Sequence, residues 1–560
     1  IIPTPPAVPV TPSPPVTPMA PQMVTAPAAP SPSTPSPSTP SPLSPSSPSF
    51  LLPDLGYRIF PSTQTTPFGS TLTSSRRGVG SDALAVNLSE ADFSLTGGSM
   101  PVPGPLTATT STLSPALVAA AITDGDQQRT EDVRRTLGDV GVAGESGGTL
   151  RLEELQQLLS KASQKGDKDD ERFNPAVLMV SFTEQKPAAG QDPKPATGQE
   201  PKAADATGST PANSFLDLIL LSRRGEPVGK RVELSRERFG DQLRALYRQL
   251  ARLEPLQVEN PDSPSRQIHR AVIEPIAAEL RAKGITTLVI VADRGLQGLP
   301  FAALHDGTSY FGDRYGFSIT PSLNLTSFGP PRQTRGRVLA AGASEFEGLS
   351  PLPLVPDELA GIPEGVGVDR FLNRSFSPEV LLSRAADPRY ERLHVATHAE
   401  FLPGGPSQAR IYTGTGSVSL QEFARLRQQR SGSPLELFVL SACRTALGDS
   451  DSELGFAGLA LQAGSRSAIG TLWYVDDVAT SAYFLQLYRF LDRGMQKAEA
   501  LRATRQAMST GKVRLEGDKV IGSDGVPLLT ELSPSQRRRI AAGVTHPYFW
   551  AGVQLIGTPW

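Results

Sequence analysis

From about residue 285 onward the chain alternates short, nearly unbroken apolar runs with longer amphipathic ones, and few folds accommodate that pattern. The apolar runs are "TTLVIVA" (286–292), "RVLAAGA" (337–343), "RLHVAT" (392–397), "LELFVLS" (435–441) and "SAIGTLW" (467–473). Among them lie the helical stretches "PDELAGI", "SPEVLLSRAAD", "LQEFARLRQQ", "GFAGLALQAG", "VATSAYFLQLYRFLDRG" and "MQKAEALRATRQAM". A strand with one wet face alternates apolar and polar residues, whereas a strand that is apolar throughout is covered on both sides. The pattern therefore predicts an α/β fold: a mostly parallel sheet with helices on both faces. "FWAGVQLIG" supplies a last strand. No repeat of a length typical of helical arrays is visible.

Order thins toward the beginning of the chain. Residues 1–49 hold 18 of the 53 prolines, and most of the rest is Ser, Thr and Ala. Such a tract cannot bury enough apolar surface to offset its ordering entropy, so it is expected to be a disordered, extended arm. Residues 50–120, rich in Gly, Ser and Thr, read as mostly irregular. Residues 121–284 form a small α/β N-terminal part. "QQRTEDVRRTLGDVG" and "LRLEELQQLLSKASQKG" are its first helices, and "PAVLMVSF" and "FLDLILLS" are expected to pair as a hairpin across a solvated, disordered loop at 184–213. The helix "RERFGDQLRALYRQLARL" follows, and Pro275 should kink or divide the next, "SRQIHRAVIEPIAAELRAKG". Residues 285–560 make up the core.

Composition excludes several classes. The 54 basic and 56 acidic residues leave a net charge of -2, which gives no reason to expect nucleic acid or an anionic membrane as a partner. No apolar run is long enough to span a bilayer. The single cysteine, Cys443, excludes an intrachain disulfide and a thiolate zinc site. The chain starts at Ile1, which leaves the compartment open between the cytoplasm and export after signal removal.

In a parallel α/β sheet, reactive groups gather beyond the carboxyl ends of the strands. His398 follows "RLHVAT" and Cys443 follows "LELFVLS". If those two strands are neighbours, both side chains open into one crevice. A thiol near its ordinary pKa is only slightly ionised at neutral pH, and an adjacent imidazole takes its proton and returns it to a leaving amine. Taken singly, a lone cysteine or histidine at a strand end is more often packing than chemistry. Spacing alone leaves the two readings balanced. His394, four residues before His398, sits on a strand with no third ligand in view, so no metal is expected. It reads as a hydrogen-bonded strand residue, His269 and His305 as structural, and His546 as a packing residue that opens the last strand.

The block "LHVATHAEF" followed by "LFVLSACRTALGD…ELGFAGLALQAGSRSAIGTLWYVDDVATSAYFLQLY" resembles the CHAT family, caspase-like cysteine peptidases related to separases and frequent in cyanobacteria and other bacteria. "VIVADRGLQGLPFAALHDG", "PSLNLTS", "LAAGASEF", "LPLVPDEL" and the terminal "HPYFWAGVQLIG" support it, strongly after residue 285. The resemblance implies a caspase-like catalytic core, with His398 as general base and acid and Cys443 as nucleophile. It implies an oxyanion site built from backbone N–H groups, those of Ala399 and Cys443. Caspases usually have glycine where this chain has Ala399, and an alanine N–H still donates. Separase-like relatives prefer a basic residue before the cut bond, which draws attention to "WYVDD": Trp473 as a pocket wall or a packing residue, and Asp476 and Asp477 as the acidic partners or as helix caps. Asp449, Asp451 and Glu453 read as a solvated loop. No cofactor is implied. The expected partners are a protein or peptide substrate and a regulatory protein. The alternative to a peptidase is a regulatory or scaffold module whose output is partner binding. A latent enzyme, activated by a partner or by cleavage in the 184–213 loop, is a third reading.

Overall fold

Eighteen strands are defined among the described residues of the computed structural model, which are 103–137, 151–164, 173–184, 214–293, 295–329, 336–365, 367–401, 409–430, 433–442, 463–473 and 476–560. All of these belong to one unit, Ser70–Trp560. The strands are β1 (Thr109–Thr112), β2 (Pro175–Glu184), β3 (Ser214–Ser222), β4 (Val228–Glu233), β5 (Thr287–Ala292), β6 (Gly316–Thr320), β7 (Arg337–Gly342), β8 (Val368–Leu372) and β9 (Tyr390–Ala396). They continue with β10 (Ala399–Phe401), β11 (Ala409–Tyr412), β12 (Ser417–Ser419), β13 (Leu437–Ser441), β14 (Ser467–Thr471), β15 (Arg514–Glu516), β16 (Lys519–Ile521), β17 (Pro527–Leu529) and β18 (Val553–Gly557). Twelve form one sheet in the order β1-β4-β3-β2-β5-β6-β18-β14-β13-β9-β7-β8, and two small sheets take β10–β12 and β15–β17.

The large sheet consists of two parallel blocks set in opposite directions. β14, β13, β9, β7 and β8 run parallel to one another, as do β2, β5, β6 and β18. The blocks meet at the antiparallel pair β18–β14. Sequence reading gives a mostly parallel sheet and does not foresee the reversal. Beyond β2, the expected hairpin is present: β2 pairs antiparallel with β3 over its whole length, and β4 and β1 extend that edge antiparallel.

Both faces of the sheet are covered, as the apolar strands require. Val338 and Ala340 of β7, Ala396 of β9, and Leu437 and Val439 of β13 face one continuous core. Helix Asp477–Asp492 and helix Lys497–Ser509 close that core. The alternate residues, Leu339, Leu393, Val395, Phe438 and Leu440, face a second core under helix Pro378–Ala386. Behind the other block, Val177, Met179, Val289 and Val291 pack with Leu155 and Leu159 of helix Leu152–Gln164.

Several local expectations are met and some are corrected. Pro275 sits where the helix divides into Pro264–Val272 and Glu274–Ala282, because a proline lacks the N–H that a continuous helix needs. Within 50–120, the described residues are not all irregular: β1 and helix Pro115–Ala120, capped by Ser114, lie there. His546 does not open the last strand. It starts a 3-10 turn, Pro547–Phe549, accepting the Tyr548 N–H, and β18 begins at Val553. Glu184, expected in the loop, is the last residue of β2; the proline arm, the rest of the 184–213 loop, "GFAGLALQAG" up to residue 462 and the acidic loop after Cys443 lie outside the described residues. No helix among the described residues is long and apolar enough to cross a membrane.

Candidate active site

The strands that lead to His398 and Cys443 are direct neighbours. β9 and β13 pair in parallel with Ala396 opposite Ser441. His398 is two positions beyond Ala396, and position 443 is two beyond Ser441. Cys443 itself lies outside the described residues, but the backbone that delivers it is held from both sides. Ser441 O accepts the Thr397 N–H at 3.2 Å, from the residue just past β9. Ala442 O accepts the Thr471 hydroxyl at 2.8 Å, from the end of β14. Thr471 carries no signal in the sequence beyond its place at the end of an apolar run.

His398 is half-buried and oriented by the loop that follows β7. Its Nε2 lies 2.8 Å from Ser350 O. A carbonyl oxygen only accepts, so Nε2 carries the proton and Nδ1 is the basic nitrogen. Phe346 packs on the ring, 4.7 Å between centroids. The loop is tied at its start. Ala343 N–H donates to Ala396 O at 3.1 Å, and Leu352 N–H reaches back to Ser344 O at 2.9 Å. Ser344 N–H donates to Asn373 Oδ1 at 2.7 Å. Asn373 takes up the left-handed conformation, φ 52°, which asparagine tolerates better than most residues. Ser350 and Phe346 were not singled out by sequence. Any residue supplies a carbonyl, so the first has no signature. The second lies in the resembling block "LAAGASEF" without a pattern of its own.

Ala399 begins β10, and its backbone faces outward. Tyr412 N–H donates to His398 O at 3.0 Å, so positions 398 and 412 form a hydrogen-bonded pair. Antiparallel ladders alternate, which makes Ala399 and Ile411 a non-bonded pair. The Ala399 N–H therefore points away from β11, next to His398.

Trp473, Asp476 and Asp477 are buried among partners of their own. The Trp473 indole N–H donates to Tyr548 O at 3.0 Å, and its ring stands edge-on to Tyr247 at 5.8 Å. Asp476 caps helix Asp477–Asp492, accepting the N–H groups of Val478 and Ala479 at 3.0 and 3.2 Å. Its second oxygen is 3.1 Å from Nε of Arg539, whose guanidinium also meets Asp477. Burial pushes the Asp476 carboxyl up to about 6, against the pull of Arg539 and the two N–H groups. Burial also raises Asp477.

Three of the remaining histidines have hydrogen-bond partners in the fold. His394 Nε2 lies 2.9 Å from Glu358 Oε1 inside the core. His269 is in helix Pro264–Val272, and burial lowers it to about 4. His305 Nδ1 accepts the Gly307 N–H at 2.9 Å, and His546 Nε2 lies 2.8 Å from Glu254 O. Among the described residues no group of three His, Cys, Asp or Glu is arranged to hold a metal.

A search of curated proteins finds no match. Among solved structures, the chain is similar to the Saccharomyces cerevisiae separase in its securin complex, at 11% identity and TM-score 0.42, over 79% of this chain and 34% of that one. The chain thus spans about a third of the length of that separase. It is also similar to the Arg-specific cysteine proteinase gingipain R, at 10% identity and TM-score 0.31, over 52% of this chain and 68% of that one. The family model described as "CHAT domain" matches residues 262–558. That match takes in more than half of the sequence, including β9, β13 and β14 with the residues that follow them, and the chain belongs to the CHAT domain family.

Proposed function

We propose that the chain is a cysteine endopeptidase that hydrolyses peptide bonds in a protein substrate through His398 and Cys443, without a cofactor. The observation that carries this reading is the register of β9 on β13, with Ala396 opposite Ser441. It brings the strand ends before the two residues side by side, in the direction and at the edge where such sheets put their chemistry. The Nε2–H of His398, held by Ser350 O, supports Nδ1 as the base. In this reading Nδ1 takes the thiol proton, and the thiolate adds to the scissile carbonyl carbon. The N–H groups of Ala399 and Cys443 receive the oxyanion. Collapse expels the amine, which takes the proton from Nδ1. Water then adds to the thioester with Nδ1 again as base, releasing the acid and restoring the thiol.

The preference for a basic residue before the cut bond rests on Asp476 and Asp477, with Trp473 as a wall. Arg539 already meets both carboxylates, so a substrate cation competes with it. Arg539→Ala is expected to raise kcat/KM for arginyl peptides relative to uncharged ones. An unchanged ratio would remove these aspartates from the specificity pocket.

The primary test is Cys443→Ala. Cleavage of a peptide library, and labelling by an electrophilic peptide probe, should both disappear, turnover falling by about a thousandfold or more. Labelling that persists would sink the nucleophile assignment. A wild type that neither turns over nor labels, yet retains a specific protein partner, would favour the scaffold reading.

A further inference from the structure

Glu358 lies in helix Val355–Ala360 and is only 2% exposed. Both of its oxygens are used. His394 Nε2 is 2.9 Å from Oε1, and the Ser481 hydroxyl donates to Oε2 at 2.6 Å. His394 is fully buried, with Phe484 and Tyr488 against its ring. A carboxylate taken into such surroundings is expensive unless its hydrogen bonds are made. Apolar residues of similar size would fill the same space at no such expense, so packing alone does not explain the group.

The three side chains belong to three elements, and each element leads to a piece of the candidate site. Helix Val355–Ala360 is the exit of the loop that carries Phe346 and Ser350 to His398. β9 carries His394, and His398 lies two residues past the end of that strand. Ser481 is in the first turns of helix Asp477–Asp492, which Asp476 caps. One carboxylate thus fixes the loop, the strand and the helix to one another from beneath the site. The loop's start is tied by Ala343, Ser344 and Asn373 and its neck by Leu352 N–H on Ser344 O, and the Glu358 bonds seat the helix into which the loop runs.

We infer that Glu358, through His394 and Ser481, is a positioning residue that holds Ser350 O against His398 Nε2 and so keeps His398 Nδ1 as the basic nitrogen. It touches no reacting atom. The inference rests on the peptidase reading for its kinetic consequence only; the orientation of His398 is measurable without turnover.

The experiment uses the full chain with labelled histidine imidazoles, the His398 signals being assigned by their loss in His398→Ala. Wild type should show His398 as the Nε2–H tautomer. In Glu358→Ala the signals should move to an average of both tautomers, and kcat should fall about 10- to 100-fold with KM nearly unchanged. Glu358→Gln accepts from His394 and donates to Ser481, so it should restore the wild-type tautomer and most of kcat. A pair serving stability alone would lower the thermal midpoint and leave the His398 tautomer and kcat unmoved, and that result in a folded Glu358→Ala overturns the inference. If Glu358→Ala does not fold, Ser481→Ala is measured in its place: a mixed tautomer supports the inference and an unmoved one overturns it. If wild type proves to have no turnover, the peptidase reading fails, and the tautomer measurement decides this inference by itself.

Discussion

The two blocks of the sheet each present a carboxyl edge of the kind where α/β proteins place ligands, and they use it in opposite ways. At the carboxyl ends of β5 and β6 the edge is taken up by the chain itself. Asp126 reaches in from helix Asp126–Leu137 and accepts the Ser322 hydroxyl and the N–H groups of Leu323 and Asn324 at 3.0, 2.7 and 3.1 Å. Thr130 bonds Ser322, and Arg129 pairs with Asp293 just past β5. At the carboxyl ends of β9 and β13, His398 is half-buried and, among the described residues, makes one ring hydrogen bond, to Ser350 O. The first edge spends its polar groups on one another and contributes stability. The second fixes one nitrogen of an imidazole, and in the proposed reading the other is the base. An open carboxyl edge is therefore not evidence of a site by itself; what its polar atoms are bonded to separates the two.

Substitutions at the two edges should split cleanly. His398→Ala is expected to lower turnover by about a thousandfold or more while moving the thermal midpoint little, measured by steady-state kinetics and calorimetry. Asp126→Ala should do the reverse. It strands the buried Leu323 N–H and takes one partner each from Ser322 and Asn324, so unfolding free energy should drop by roughly 1–3 kcal/mol, with turnover unchanged wherever the variant is folded. A kinetic defect in folded Asp126→Ala would mean that the edges communicate. Phe346→Ala removes the ring packed on His398 but not its hydrogen bond, and kcat should fall only about three- to tenfold.

The smallest effect concerns Asp476. Its carboxyl is raised from 3.8 to about 6 by burial, so the folded protein binds that proton more tightly than the unfolded chain does. Its contribution is most favourable below pH 4 and is lost as pH rises to about 6. Asp476→Asn keeps a capping side chain and does not titrate. It should therefore gain on wild type by roughly 2 kcal/mol between pH 4 and 7 in urea midpoints. A difference that stays flat with pH would show that Arg539 compensates the charge fully.

Much of this was legible in the sequence, and the exceptions have physical causes. β5, β7, β9, β13 and β14 announce themselves because strands buried on both faces must be apolar throughout. β8, "VDRFL", escapes because it is an edge strand with every residue partly exposed, and β6, "GFSIT", because its serine and threonine hide a fully buried strand. Strand direction leaves no mark in composition, so the reversal at β18 was invisible. His398 stands out because few side chains do its chemistry. The carbonyl of Ser350 cannot, since every residue has one. Glu358, in "PDEL", reads as an ordinary exposed acid on an amphipathic helix until the buried His394 and Ser481 are seen beside it.

The seam between the blocks also constrains how the molecule is made. β18 is synthesised after every other strand of the large sheet, yet it lies between β6 and β14. Until it arrives, the nascent chain holds two half-sheets, each with an open inner edge and apolar faces. Such edges invite pairing with other chains. Completion of the sheet beside His398 thus waits on one five-residue strand, and a chain that stops before residue 553 lacks the strand that stands between β6 and β14.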